Sequence, residues 1–419
     1  MTLGGRDVNR QRRSCRCPQL DLEDYPAASG RSSRRATTER LPPQSPRVVL
    51  FVFGTRPEAI KLCPVVRHLR SRPEYSVKVC VSAQHRALLD QVLAAFEVVP
   101  DYDLDIMQPN QTLSQSTSRI LAALEPVFES ARPNIVLVQG DTTTTLCGAL
   151  AGFYHHVPVG HVEAGLRTWD LSQPFPEEMN RVLATRVTSL HFAATEWAAS
   201  NLYAEGVPRD RVAVTGNTGI DAVLYVRDKL IDRTLHGSEW PQLDPSKKLI
   251  VVTAHRRESF GEGLVRICSA LARLAERPDV QIVYPVHPNP NVRGPVEQYL
   301  SGRKNVVLVE PLEYVPFVDL MRRAYLLITD SGGVQEEGPS LGKPILVLRE
   351  KTERPEAVEA GTVKLVGTDE SCILAEAGRL LEDREEYERM ARVHNPYGDG
   401  HASARISDLI LSFLTEYSG

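Results

Sequence analysis

The segment Gly54-Thr55-Arg56-Pro57-Glu58-Ala59-Ile60-Lys61 follows an apolar, β-branched run, and Ile60, Leu62, Val65, Val66 and Leu69 then recur at helical spacing. A strand therefore turns into a helix at this point. Pro57 suits a first helical turn, where a missing N–H costs nothing, and Gly54 permits a tight backbone. Helix-start amides beside Arg56 and Lys61 make a site for an anion. The turn is neither the dinucleotide fingerprint G-x-G-x-x-G nor a P-loop.

Two further strand ends carry carboxylates. The run NIVLVQ delivers Gly140-Asp141, and VPVGHV delivers Glu163. Ligands of open parallel sheets bind in the crevice beyond the strand carboxyl ends, so both side chains are expected in one cleft. Asp141 could instead be the N-cap of the next helix. A third acidic site, Pro176-Glu177-Glu178, reads as a helix start, where acidic residues also serve the macrodipole.

Cationic and small-residue strand ends mark the second half. LIVVTA runs into His255-Arg256-Arg257-Glu258, and YLLITD into Asp330-Ser331-Gly332-Gly333-Val334-Gln335-Glu336-Glu337. The first points to an anionic ligand. The second is a turn whose bare amides could hold phosphate, with carboxylates one turn on that suit ribose hydroxyls. Other signals carry less. Asp101, Asp103 and Asp105 alternate in a polar connection and read as a solvated loop. His155-His156 follows a helix, as a partner of its dipole would. Cys15 and Cys17 form a Cys-x-Cys without a second ligand pair at zinc spacing, and no H-E-x-x-H occurs, so no metal site is expected.

These residues must be held by something. From Arg47 onward, short β-branched runs alternate with amphipathic stretches, the pattern of parallel strands crossed over by helices. Six strand candidates precede a polar stretch at 232–246 and six follow it: LIVVTA, QIVYPV, NVVLVE, YLLITD, PILVLR and KLVG. The expected fold class is α/β, with two Rossmann-like domains whose parallel sheets face a central cleft. The expected organisation is a disordered, Arg/Ser/Pro-rich leader at 1–46, an N-terminal domain at 47–217 and a C-terminal nucleotide-binding domain at 218–396. The last segment, 397–419, should pack its helix back on the first domain, with Ile406, Leu409, Ile410 and Phe413 as its apolar face.

Bulk properties limit the partners. A chain of 419 residues with a net charge of -4 offers no basic surface for a nucleic acid. No apolar run reaches the ~18 residues of a membrane helix. Seven cysteines, an odd number scattered in apolar runs, do not form a disulfide framework and suggest a reducing, cytoplasmic compartment.

The ordered set GTRPEAIK, QGDTTTT, GHVEAGLRT, PFPEEMNR, TGNTGIDA, TAHRRE, VYPVHPNP, DSGGVQEEGPSLGKP and TERPEAVEAGT resembles the signature series of bacterial non-hydrolysing UDP-N-acetylglucosamine 2-epimerases, from Arg47 to the C-terminus. The resemblance implies the two-domain fold shared with B-type glycosyltransferases, a homodimer, and a reaction that needs neither nicotinamide nor metal. It implies interconversion of UDP-N-acetylglucosamine and UDP-N-acetylmannosamine by elimination of UDP to 2-acetamidoglucal and re-addition. Asp141, Glu163, Glu177 and His255 match the catalytic motifs; Arg56, Lys61, Phe317, Ser331, Gly332, Gly333, Glu337 and Arg354 match the substrate-holding positions. Gln84 and His287 match a second, regulatory substrate pocket, but Ala87 and Asn110 depart from its pattern. Leu312 stands where relatives can carry Gln near the uracil, and Trp169 where a small residue is usual. A UDP-sugar glycosyltransferase of the same fold is the alternative, and a non-catalytic UDP-sugar sensor a third reading.

Overall fold

The computed structural model describes residues 45–83, 86–108, 111–352 and 354–417. Up to Gln44, the expected leader lies outside the described residues, as do Cys15 and Cys17. From Ser45 the chain forms one compact unit.

Among the described residues there are two wholly parallel sheets. The first contains β1 (Arg47–Phe53), β2 (Tyr75–Val81), β3 (Tyr102–Asp103), β4 (Ile135–Gln139), β5 (Val159–Ala164), β6 (Leu190–Ala193) and β7 (Val212–Val214), in the order β3-β2-β1-β4-β5-β6-β7. The second contains β8 (Lys248–Thr253), β9 (Val280–Pro285), β10 (Val306–Val309), β11 (Leu326–Thr329), β12 (Ile345–Val347) and β13 (Val363–Leu365), in the order β10-β9-β8-β11-β12-β13. Helices connect successive strands, as parallel pairing requires. The central strands β1, β4, β8 and β11 are almost uniformly buried, which is why they read as unbroken apolar runs.

Each sheet reverses its strand order once, between β1 and β4 and between β8 and β11. Chain connections diverge on either side of such a point and leave a crevice at the strand carboxyl ends. The chemistry-bearing turns after Phe53, Gln139, Thr253 and Thr329 all leave these four strands. One apolar cluster runs from Phe51 and Phe53 through Ile220, Val223 and Val226 of the helix Thr218–Ile231 to Val251 and Leu327, joining the two sheets.

Two sequence expectations need correction. Tyr102–Asp103 is a short edge strand rather than loop, while Asp101, Asp103 and Asp105 are exposed as expected and paired in part: Asp101 with Lys78 and Arg70, Asp103 with Arg86. A two-residue strand leaves too little alternation to detect. In the last helix, Ala402–Tyr417, the inward positions are Ile406, Ile410 and Leu414, whereas Leu409 is 36% exposed. This helix packs against the helices Arg56–Arg70 and Thr218–Ile231, and the Tyr75 hydroxyl donates to the Ser407 carbonyl. Among the described residues no helix is long and apolar enough to cross a membrane.

Candidate active site

The turn after β1 is built around Glu58, which is buried in the first turn of the helix Arg56–Arg70. Thr55 is the N-cap, and Glu58 Oε2 accepts the backbone N–H groups of Thr55 at 2.7 Å and Gly54 at 3.1 Å, completing a capping box. Glu58 Oε1 accepts the hydroxyls of Thr142 at 2.8 Å and Thr145 at 3.2 Å, which locks this turn to the one after β4. Gly54 is obligatory: a Cβ there would lie 1.9 Å from Ser82 Oγ.

Asp141 follows Gly140, whose φ of +71° makes the sharp exit from β4. The N-cap of the next helix is Thr142, so the Asp141 carboxylate is not used in capping. Its Oδ2 instead lies 2.9 Å from an Arg181 guanidinium nitrogen, and its backbone carbonyl accepts from the Asn180 side chain at 2.8 Å. Glu163 sits at a β-bulge where the β5–β6 register shifts, with φ +61°. A non-glycine residue there is strained, and a bulge re-aims a side chain that regular pleating would send elsewhere. One Glu163 oxygen pairs with Lys61 Nζ and the other accepts from the Gln139 side chain. Glu177 opens the helix Glu177–Val187. Asp141, Glu163, Glu177, Lys61 and Arg354 line one cavity of about 520 Å³.

A neighbouring cavity of about 270 Å³ is lined by Arg56, Thr253, His255, Pro285, His287, Pro311, Leu312, Phe317, Ser331 and Val334. Its walls are largely apolar and Arg56 brings a cation to it, which fits a flat base attached to a phosphate chain. Arg56 and Lys61 stand on one helix, so a single element presents a cation to each cavity. Gly332, Gly333 and Glu337 belong to the short helix Gly332–Glu337 beside the second cavity without lining it. The Ser331 amide is not bare as the sequence suggested, because it donates to Thr329 Oγ1 at 2.9 Å. Arg354 pairs with Glu336 and stacks against Gly332, 3.7 Å from where a Cβ would be.

Electrostatics follow from burial and pairing. Burial raises the Glu163 carboxyl above the usual range; Lys61 opposes this, and Glu336 adds to it. Burial alone would lower the Lys61 ammonium, but Glu163 and Glu336 more than reverse that. Glu336 is held below its usual value despite burial, chiefly by Arg354 and then Lys61. Glu337 is pushed up to about 8 by burial and by Glu336, so at neutral pH it can donate as well as accept. Lys61, Arg354, Glu163 and Glu336 thus form a charge-balanced group, in which each buried charge faces an opposite one.

The acids expected from sequence converge, and so do Arg56, His255, Phe317 and Ser331, in adjoining cavities. His287, matched to a regulatory pocket, lines the same cavity as Arg56 and His255 and stacks on His255 with ring centroids 5.5 Å apart. Gln84 and Asn110 lie outside the described residues. Trp169 is 62% exposed, at φ +64°, and does not line the acid cavity. Sequence reasoning missed Gln139 and Arg181, and read Glu178 only as part of an acidic helix start. Glu178 is buried and accepts the N–H groups of Thr168 and Trp169, both at 3.0 Å, holding the loop between Glu163 and Glu177. The i, i+3 and i, i+4 spacing of Glu177, Glu178 and Arg181 was the available signal.

A family model described as UDP-N-acetylglucosamine 2-epimerase matches residues 67–411. The chain is 57% identical over 367 residues to the UDP-N-acetylglucosamine 2-epimerase of Escherichia coli (strain K12), covering 86% of this chain and 98% of that protein. It is also similar to the crystal structure of UDP-GlcNAc 2-epimerase from Neisseria meningitidis bound to UDP-GlcNAc. That likeness has a TM-score of 0.79 and 50% identity, over 87% of this chain and 100% of the other. A glycosyltransferase of kitacinnamycin shares the fold at TM-score 0.60 and 14% identity, over 88% and 99% of the two chains.

Proposed function

The chain belongs to the UDP-N-acetylglucosamine 2-epimerase family, and from that premise we propose how its residues invert carbon 2 of a UDP-linked N-acetylhexosamine. It is an isomerase acting on UDP-N-acetylglucosamine. A hydrogen on carbon 2 has no adjacent carbonyl to share its charge, so its removal must accompany departure of a group from carbon 1. UDP is that group. The C2–H bond gives its proton to a carboxylate, its electron pair forms the C1–C2 double bond, and the C1–O bond breaks with its pair going to the diphosphate. Re-addition of UDP to the 2-acetamidoglucal, with a proton delivered to the other face, completes the inversion.

We assign proton transfer to Asp141 and Glu163, one for each face, with Glu177 supporting or exchanging the proton. His255, Arg56 and Lys61 meet the diphosphate, stabilising charge that develops as the glycosidic bond breaks. Phe317 and the apolar wall hold the base. Ser331, Gly332, Gly333 and Arg354 take the phosphate and sugar junction, and Glu337 a ribose hydroxyl. The observation that carries this reading is the common cavity of Asp141, Glu163, Glu177 and Lys61 beside the cavity of Arg56 and His255.

The same reading includes a homodimer. Exposed Phe153 and Tyr154, and Leu183 on the following helix, are apolar surface that a second copy would cover. Buried free thiols at Cys63, Cys80, Cys147 and Cys268 fit a cytoplasmic location. The test is proton and phosphorus NMR of the enzyme with UDP-N-acetylglucosamine alone. UDP-N-acetylmannosamine should accumulate to a constant ratio without a matching rise in free UDP. Stoichiometric free UDP and free sugar would mean hydrolysis instead, and a requirement for an acceptor would mean glycosyl transfer.

A further inference from the structure

β8 and β11 are paired through Thr253 and Thr329, so the residues just beyond them are neighbours. Asp330, the first residue after β11, is fully buried. Its Oδ2 accepts the backbone N–H groups of His255 at 2.6 Å and Arg256 at 2.7 Å. Its Oδ1 makes no hydrogen bond and lies 3.3 Å from Nδ1 of the His255 ring, a donor it could take up. The ring also stacks on His287, with 10° between planes.

A neutral imidazole carries one N–H, and what faces one nitrogen decides which nitrogen holds it. A buried carboxylate can only accept, so the proton belongs on Nδ1. Nε2 is then the atom left to meet a ligand in the cavity that His255 lines. The groups facing this ring are Asp330, His287 and Arg256; burial holds the ring below its usual value although Asp330 opposes this, so it rests neutral at pH 7. A ring that gains its second proton on Nε2 as a diphosphate arrives becomes a cation whose charge Asp330 balances.

We infer that Asp330 is a positioning residue for the epimerisation, fixing the Nδ1–H tautomer and the orientation of His255 so that Nε2 faces the departing diphosphate. This rests on the UDP-sugar reading above. A merely structural role is separable from it. In Asp330→Asn the amide oxygen can still accept the two backbone N–H groups, which preserves the turn. The amide NH₂ then points at Nδ1 and forces the proton onto Nε2.

The test uses full-length enzyme labelled with ring ¹⁵N-histidine, the His255 signals being identified by their loss in His255→Gln. Ligand-free wild type should show Nδ1 protonated and Nε2 bare, and Asp330→Asn the reverse. That variant should lose kcat by about tenfold or more, because without a carboxylate at Nδ1 the ring cannot balance a second proton and offers the departing diphosphate only a neutral N–H. Wild type with the proton on Nε2 would overturn the inference, as would a variant with reversed tautomer and unchanged kcat. Should Asp330→Asn not fold, the wild-type spectrum alone decides. Failure of wild type to epimerise UDP-N-acetylglucosamine would sink the proposed function instead, since the ligand-free tautomer is read without turnover.

Discussion

Glu163 is one of the two carboxylates to which we assign proton transfer, and its surroundings bear on how a buried carboxylate could serve as a base. Burial favours its protonated form, and the Lys61 ammonium pulls it back toward ionisation. Removing that ammonium in Lys61→Met leaves burial and Glu336, which both raise the carboxyl. Because the ionised form takes the proton, the acid limb of kcat/KM against pH should move upward, by about one unit or more. A limb that stays in place would show that another group sets it. Part of this was readable beforehand. Glu163 ends an apolar strand in a parallel sheet, which locates it at the crevice. Its left-handed backbone and its partners Lys61 and Gln139 depend on how β5 slips against β6, and that register is a property of the sheet.

At the scale of elements, β5 and the helix Glu177–Val187 act as one support. Asn180 and Arg181 hold Asp141 from the helix, and His161 Nε2 donates to the Gly140 carbonyl at 2.7 Å from the strand. His161 and its cross-strand partner His191 are buried and neutral, held down to about 4 and about 3 chiefly by burial. Their unfolded counterparts titrate near 6.5. Above that pH neither state binds the proton, so the pair is neutral in its effect. As pH falls from 6.5 toward 4 the unfolded chain takes up protons that the folded chain refuses, and stability is lost, by on the order of 3 kcal/mol for each histidine. His191→Phe should therefore flatten the dependence of unfolding free energy on pH across this window, measured by urea titration at several pH values. An unchanged slope would mean that His191 is not buried as a neutral ring. The helix itself was foreseen from PEEMNR, but the sequence pattern of Glu178 and Arg181 served equally for an exposed, salt-bridged helix. Only the packed structure turns both inward, toward the loop amides and Asp141.

For the molecule as a whole, two switch points meet across one crevice. The first sheet contributes acids at the ends of β4 and β5 and cations at the helix after β1; the second contributes His255, Phe317 and the turn after β11. This architecture was legible because buried parallel strands are uninterrupted β-branched runs and the crossover helices are amphipathic. The two-residue β3 carried too little pattern to be seen. Asp330 illustrates the remaining limit: its position at a strand end was plain, but whether such a side chain faces ligand or protein is decided by the neighbouring strand. The arrangement makes sense only if proton removal from carbon 2 and departure of the diphosphate happen to the same molecule in adjoining cavities. Turnover of UDP-N-acetylglucosamine in deuterium oxide, followed by proton NMR of the sugar, asks this directly. The account predicts UDP-N-acetylmannosamine carrying solvent deuterium at carbon 2, whereas product that keeps its original hydrogen there would contradict it.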